Sequence, residues 1–123
     1  MAQVPLNHFT RVSTTLNTTL TQVYSAPVDT AAIMLAILAS NKTSNTQTIT
    51  LGVSGNGGPN VSVKPFFNIV KSFNIPANDV TNMAIGKIVL ENYDGLYASS
   101  TALSSVDLTL SILETLNTTT VNE

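Results

Sequence analysis

Apolar and polar residues alternate with a period of two along much of the chain, and amphipathic helical periodicity is nearly absent. Successive side chains of a strand point to opposite faces, so this alternation marks strands half buried against a core. Near the C-terminus Val106, Leu108, Leu110 and Ile112 alternate with Asp107, Thr109 and Ser111. Ile49, Leu51 and Val53 alternate with Thr48, Thr50 and Gly52, and Ile88 and Leu90 flank Val89 in a shorter run. Residues 30–40, TAAIMLAILAS, are apolar almost throughout. Ala, Met and Leu favour helix, but Ile33, Leu35 and Ile37 alternate with Met34 and Ala36, and a short apolar run between turn signals fits a strand buried on both faces. The pattern predicts the central strand of a sheet here, with a helix as the alternative.

Breakers separate these runs at short spacing. Ala26-Pro27-Val28-Asp29 precedes the central strand, and residues 41–45 form a polar turn. The strongest breaker is Gly55-Asn56-Gly57-Gly58-Pro59-Asn60, which predicts an exposed loop. Pro65 cannot donate to a ladder, so residues 61–73 read as two strands or as an edge strand with a bend. Asn92-Tyr93-Asp94-Gly95 reads as a tight turn, with Gly95 free to take positive φ. About seven or eight short strands with turns between them give an all-β fold, an antiparallel β-sandwich of jelly-roll or Ig-like type. The expected organisation is an extended N-terminal arm over residues 1–9, a sandwich domain over 10–116 and a polar C-terminal tail over 117–123.

Composition sharpens this picture. The chain has 123 residues, enough for one domain with one modest core. Hydrophobic residues make up 43% but charged residues only 10%, with Thr, Ser and Asn in the polar positions. So few charges protect a monomer weakly against association, which points to a surface meant to face other protein. Arg11, Lys42, Lys64, Lys71 and Lys87 are scattered and the net charge is −2, whereas nucleic acid or an anionic membrane demands clustered cations. Neither is expected as a partner. There is no cysteine, which fits synthesis in a reducing cytoplasm. The N-terminal stretch lacks the pattern of a signal peptide, and the sequons at Asn17, Asn41, Asn60 and Asn117 follow from an Asn/Thr-rich composition.

The candidate chemistry is sparse. His8 is the sole histidine and falls in the expected arm, so no Ser-His-Asp arrangement is suggested. The acids fall in turns or flank strands, and Glu91, Asn92 and Asp94 lack the spacing of a calcium loop. The GNGGPN run lacks the order of a phosphate-binding loop. No catalytic residue, metal ligand or cofactor is expected. The candidate interface residues are apolar: Val4, Leu6 and Phe9 in the arm, and the adjacent Phe66 and Phe67, which must point to opposite faces of a strand. One of the pair can fill the core while the other faces outward as an interface anchor, with both covered within the domain as the alternative.

Three segments carry a resemblance. Residues 18–27, TTLTQVYSAP, lead into the apolar strand and its polar turn. Phe73-Asn74-Ile75-Pro76-Ala77 opens a strand that ends at Lys87-Ile88-Val89-Leu90-Glu91. Residues 91–98, ENYDGLYA, are followed by 106–114, VDLTLSILE. This order resembles a family of small β-sandwich structural proteins from the virions of tailed bacteriophages, especially contractile-tailed phages of cyanobacteria. The family carries Gly where Asn92 or Tyr93 stands here. The resemblance implies a non-enzymatic structural component of the virion, made in the host cytoplasm. It is expected to be a head decoration or cement-type homo-oligomer whose partners are major capsid or tail proteins. A tail, neck or baseplate component is the first alternative. A carbohydrate-binding adhesion module is the second, although Trp is absent and Tyr sparse.

Overall fold

The computed structural model describes residues 7–55, 65–84, 86–91 and 93–116. Nine strands are present among these residues: β1 (Asn7–Thr15), β2 (Thr21–Ser25), β3 (Thr30–Asn41), β4 (Gln47–Ser54), β5 (Phe66–Ile75), β6 (Val80–Asn82), β7 (Ile88–Leu90), β8 (Gly95–Ser100) and β9 (Val106–Leu116). Every pairing between them is antiparallel. One sheet, A, runs β1-β9-β3-β6, with β7 on the same edge of β3 as β6; the other, B, runs β2-β8-β4-β5. The expected antiparallel β-sandwich is the fold. Of the expected arm, Asn7, His8 and Phe9 are strand residues opposite Thr115, Glu114 and Leu113, while residues 1–6 lie outside the described set, as does the tail 117–123.

The core forms where the inner faces of the two sheets meet. Sheet A contributes Ala32, Met34, Ile37, Ala39, Leu90, Val106, Leu108, Leu110 and Ile112, and sheet B contributes Ile49, Leu51, Ile75, Leu96 and Ala98, all buried. Alternation places β9 as predicted, with Val106 through Ile112 inward and Asp107, Thr109 and Ser111 outward. β3 departs from the expectation that Ile33, Leu35 and Ile37 share a face. A register shift between Met34 and Ala36 inserts an extra residue, so Met34 and Ile37 are both buried while Ile33 points outward. Such a β-bulge flips every following side chain relative to the simple period of two.

Two corrections concern turns and aromatics. Positive φ in the turn before β8 belongs to Tyr93 (71°), not to Gly95. At Gly95 a Cβ would stand 2.9 Å from Gln22 Oε1 and 3.0 Å from Tyr97 Cε1, a close approach that those two side chains would have to yield to. Neither member of the Phe66-Phe67 pair enters the core, since both lie on β5 at the margin of sheet B. β5 itself is the bent edge strand anticipated after Pro65, with two register shifts against β4 and a positive φ at Ser72.

One end of the sandwich is tied by a buried amide. Asn41 Nδ2 donates to the carbonyls of Asn45 (2.8 Å), Ile75 (3.0 Å) and Pro76 (3.2 Å). Its Oδ1 accepts from the Thr43 N–H (2.9 Å) and the Thr43 hydroxyl (2.7 Å). Asn41 thereby joins the end of β3, the following turn and the end of β5, with every polar atom of its side chain satisfied as burial requires.

Candidate interaction surfaces

The outer face of sheet A is assembled by register. Phe9 on β1 lies opposite Leu113 on β9, Leu113 opposite Ile33 on β3, and Ile33 opposite Val89 on β7. Because their strand neighbours Ile112, Ala32, Met34 and Leu90 point into the core, these four side chains point out. They form an apolar row across four strands, ending in Phe9 at 72% exposure and Val89 at 57%. Beside the row is an open depression of about 380 Å³ lined by Phe9, Thr10, Arg11, Leu35, Ser111 and Ile112. Leu35, at the register shift of β3, is part of its lining.

Further along the same face the chemistry becomes polar. Ser13 and Thr109 hydroxyls are 3.4 Å apart, and the Thr15 hydroxyl donates to Asp107 Oδ1 at 2.7 Å. Lys42 Nζ lies 3.2 Å from the same oxygen. The Thr15 hydrogen bond, followed by the Lys42 ammonium, holds the Asp107 carboxyl below its ordinary value against the opposing effect of burial. Half of the face is thus a dry apolar row and half is a ladder of small hydroxyls that satisfy one another.

At the opposite end from Asn41 the two sheets are bridged by polar side chains. Tyr24 on β2 donates its hydroxyl to Glu114 Oε2 on β9 at 2.5 Å. His8 Nδ1 lies 3.3 Å from Glu114 Oε1. Desolvation, then the Glu114 hydrogen bond and charge, push the Tyr24 phenol well above its usual value. The Tyr24 phenol donating to Glu114 makes a brace between the two sheets. Among the described residues no group of three or more His, Cys, Asp or Glu could hold a metal ion.

The predicted interface residues separate. Val4 and Leu6 lie outside the described residues, and so does most of the GNGGPN loop. Phe9 stands at the end of the apolar row. Phe66 lies on the outer face of sheet B, edge-on to Tyr97 with ring centroids 6.2 Å apart, over Gly52. Phe67, on the opposite face of β5, is 63% exposed. Phe9 and the β5 pair therefore belong to different sheets and do not form one patch. Sequence reasoning missed Ile33, Leu113 and Val89. The signal for Leu113 was present, since the outward series Asp107, Thr109, Ser111 breaks to an apolar residue there.

No protein-family model matches the sequence, and no curated protein matches it either. Solved structures do. A chain of the infectious bursal disease virus T13 particle superposes with a TM-score of 0.56 at 6% identity, over 89% of this chain and 31% of that one. A chain of the acid-stable capsid of Helicobacter pylori bacteriophage KHP30 superposes with a TM-score of 0.53 at 10% identity, over 93% of this chain and 90% of that one. The sandwich is a fold found in viral capsids. A further chain, from the Gx strain of infectious bursal disease virus, gives 0.52 at 9% identity, over 96% of this chain and 33% of that one. The protein spans about a third of the two infectious bursal disease virus chains and nearly the whole of the KHP30 chain.

Proposed function

We propose that the protein is a non-enzymatic structural subunit of a tailed-bacteriophage virion, of the head decoration or cement type, acting as a homo-oligomer on a shell built by other virion proteins. One observation carries this reading. The match to the KHP30 capsid chain runs over almost the full length of both partners, so a free-standing sandwich of about this size occurs in a phage capsid structure. In the two infectious bursal disease virus chains, by contrast, the matching sandwich is about a third of a longer chain. The surface supports the reading. The apolar row of Phe9, Leu113, Ile33 and Val89 is the kind of dry strip that anchors protein contacts, and few charges would need to be desolvated on docking.

The test is co-sedimentation of the purified protein with shells assembled from the major capsid protein of the phage that encodes it. Binding to assembled shells but not to free capsid subunits, weakened by Phe9→Asp and Val89→Asp, is the expected result. Binding to isolated tails instead would assign a tail, neck or baseplate position. Binding to neither would overturn the virion reading.

A further inference from the structure

A sandwich has four sheet edges, and three of them here are guarded. β2 is five residues long, carries a register shift between Gln22 and Tyr24, and is followed by Pro27. β5 begins after Pro65, carries Lys71, bends at Ser72 and is shifted twice against β4. On the far side of sheet A, β6 and β7 have three residues each. Short strands, prolines, lysines and bulges are how proteins stop an edge from pairing with another chain. Within its nine residues β1 has none of these, and the nearest proline, Pro5, stands two residues before it. It runs nine residues with no register shift against β9, and its one charge is Arg11.

The direction of its hydrogen bonds follows from one contact. The Leu16 N–H donates to the Val106 carbonyl at 2.9 Å. The unshifted register carries that parity back along β1, so His8, Thr10, Val12 and Thr14 bond to β9. The N–H and C=O groups of Asn7, Phe9, Arg11, Ser13 and Thr15 point away from the sheet, and among the described residues no strand receives them.

We infer that β1 is a self-pairing edge, joining the β1 of a second copy antiparallel across a twofold axis so that sheet A continues through both molecules. Face matching restricts the register, because outward residues must meet outward residues. Centring the axis on Arg11 sets two guanidinium groups directly opposite each other, which is unfavourable. Centring it on Phe9 pairs only residues 7–11 of β1, and centring it on Val12 pairs residues 9–15 but sets Phe9 against Thr15 and Arg11 against Ser13, so that neither ring faces a guanidinium. Centring it on Thr10 pairs residues 7–13, with Phe9 opposite Arg11 of the second copy and Arg11 opposite Phe9 of the second copy. Each guanidinium then covers an exposed ring, a cation–π arrangement made twice. This deepens the homo-oligomer part of the proposed function by naming the surface, and it uses the isolated protein, so it stands or falls separately from binding to shells.

The experiment combines sedimentation with cross-linking. The wild-type protein is expected to form a concentration-dependent dimer. Arg11→Pro removes an N–H that points away from β9, the one setting in which a strand tolerates Pro, and is expected to abolish the dimer while circular dichroism stays unchanged. The native chain has no cysteine, so Thr10→Cys supplies a single thiol on the axis at a close, non-hydrogen-bonded pair. It is expected to oxidise to a covalent dimer about tenfold faster than Thr14→Cys, whose mate falls outside the paired stretch. A wild-type protein that remains monomeric up to about 1 mM would overturn the inference. So would a dimer in which Thr10→Cys cross-links no faster than Thr14→Cys, whatever Arg11→Pro does to folding.

Discussion

Asn41→Asp replaces one atom and should be among the most destabilising isosteric changes in the chain. The Nδ2 group faces three carbonyl oxygens at 2.8–3.2 Å, and the residue is 1% exposed. The amide has two N–H groups to share among these carbonyls, and losing them at about 1 kcal/mol each removes about 2 kcal/mol. Setting a carboxylate oxygen against those carbonyls adds the cost of a buried, unpaired charge. The total, above about 4 kcal/mol, is a large part of the roughly 5–15 kcal/mol that holds a typical domain. The sign with pH follows from the same geometry. Burial and the carbonyl oxygens raise the pKa of the introduced carboxyl in the folded state above its unfolded value near about 4. The variant is therefore least impaired below about pH 4 and loses stability as pH rises toward the folded pKa, by up to about 1.4 kcal/mol per pH unit. Recovery in acid is partial, since a protonated carboxyl donates to one carbonyl and leaves two. Urea unfolding of both proteins between about pH 3 and 7 measures this. A variant within about 0.5 kcal/mol of wild type at neutral pH, or one whose deficit does not shrink in acid, would refute the account of Asn41 as the tie between β3 and β5.

The other predictions probe the two faces and the brace. Leu110→Ala, in the core, should cost about 2–5 kcal/mol, whereas Leu113→Ala, three residues on and facing outward, should cost less than about 1 kcal/mol in the isolated protein; Leu110→Asp should not fold, and guanidinium melts separate these cases. Gly52→Ala should cost about 1–3 kcal/mol, because its Cβ would stand 2.4 Å from Phe66 Cζ and 2.5 Å from the Phe67 carbonyl, the latter being backbone that cannot swing aside; denaturant titration reads the loss. Tyr24→Phe should cost about 1–2 kcal/mol near neutrality by removing the hydrogen bond to Glu114. The wild-type phenol has a raised pKa in the fold, so its contribution is complete below about pH 10 and is lost as pH rises further. The gap between the two proteins should therefore close in alkali, which stability curves from about pH 8 upward will show.

The fold was legible where polar and apolar residues contrast. β9 and β4 display Thr, Ser and Asp on one side and Val, Leu and Ile on the other, so inner and outer faces follow directly from the chain. β3 was legible as a strand but not in its facing, because a run that is apolar at nearly every position looks the same with an inserted residue as without one. The bulge at Leu35 was invisible for that reason, and with it the shared row of Ile33, Leu113 and Val89, which depends on pairing between distant segments. The turn before β8 misled for a different reason. Gly95 offered positive φ, but the chain places it inside a strand, close against Gln22 and Tyr97, and Tyr93 takes the left-handed conformation instead. Asn41 read as a turn residue. That its amide would be buried against the end of β5 required knowing which strand ends converge.

The low charge content and the open edge of β1 belong to one physical argument. Lys42 and Asp107 form an ion pair on the polar half-face, and His8 meets Glu114 at an end of the sandwich. A surface of this kind gains little from long-range repulsion between copies, so nothing but local strand geometry prevents sheets from adding to one another. Three edges carry that geometry and one does not. A monomer under selection to remain a monomer would be expected to place a lysine or a proline in β1, where Phe9 and Val12 stand instead. The same sparseness of charge lowers the desolvation cost when the outer face of sheet A meets another protein, because its polar half already satisfies its own hydroxyls and the row of Phe9, Leu113, Ile33 and Val89 carries no charge of its own. Edge and face adjoin at Phe9 and Arg11, which line the depression and also bracket the axis on Thr10. Pairing through β1 would set two such depressions side by side on one continuous sheet, so that association of copies and docking on a shell would reinforce each other through the same few residues.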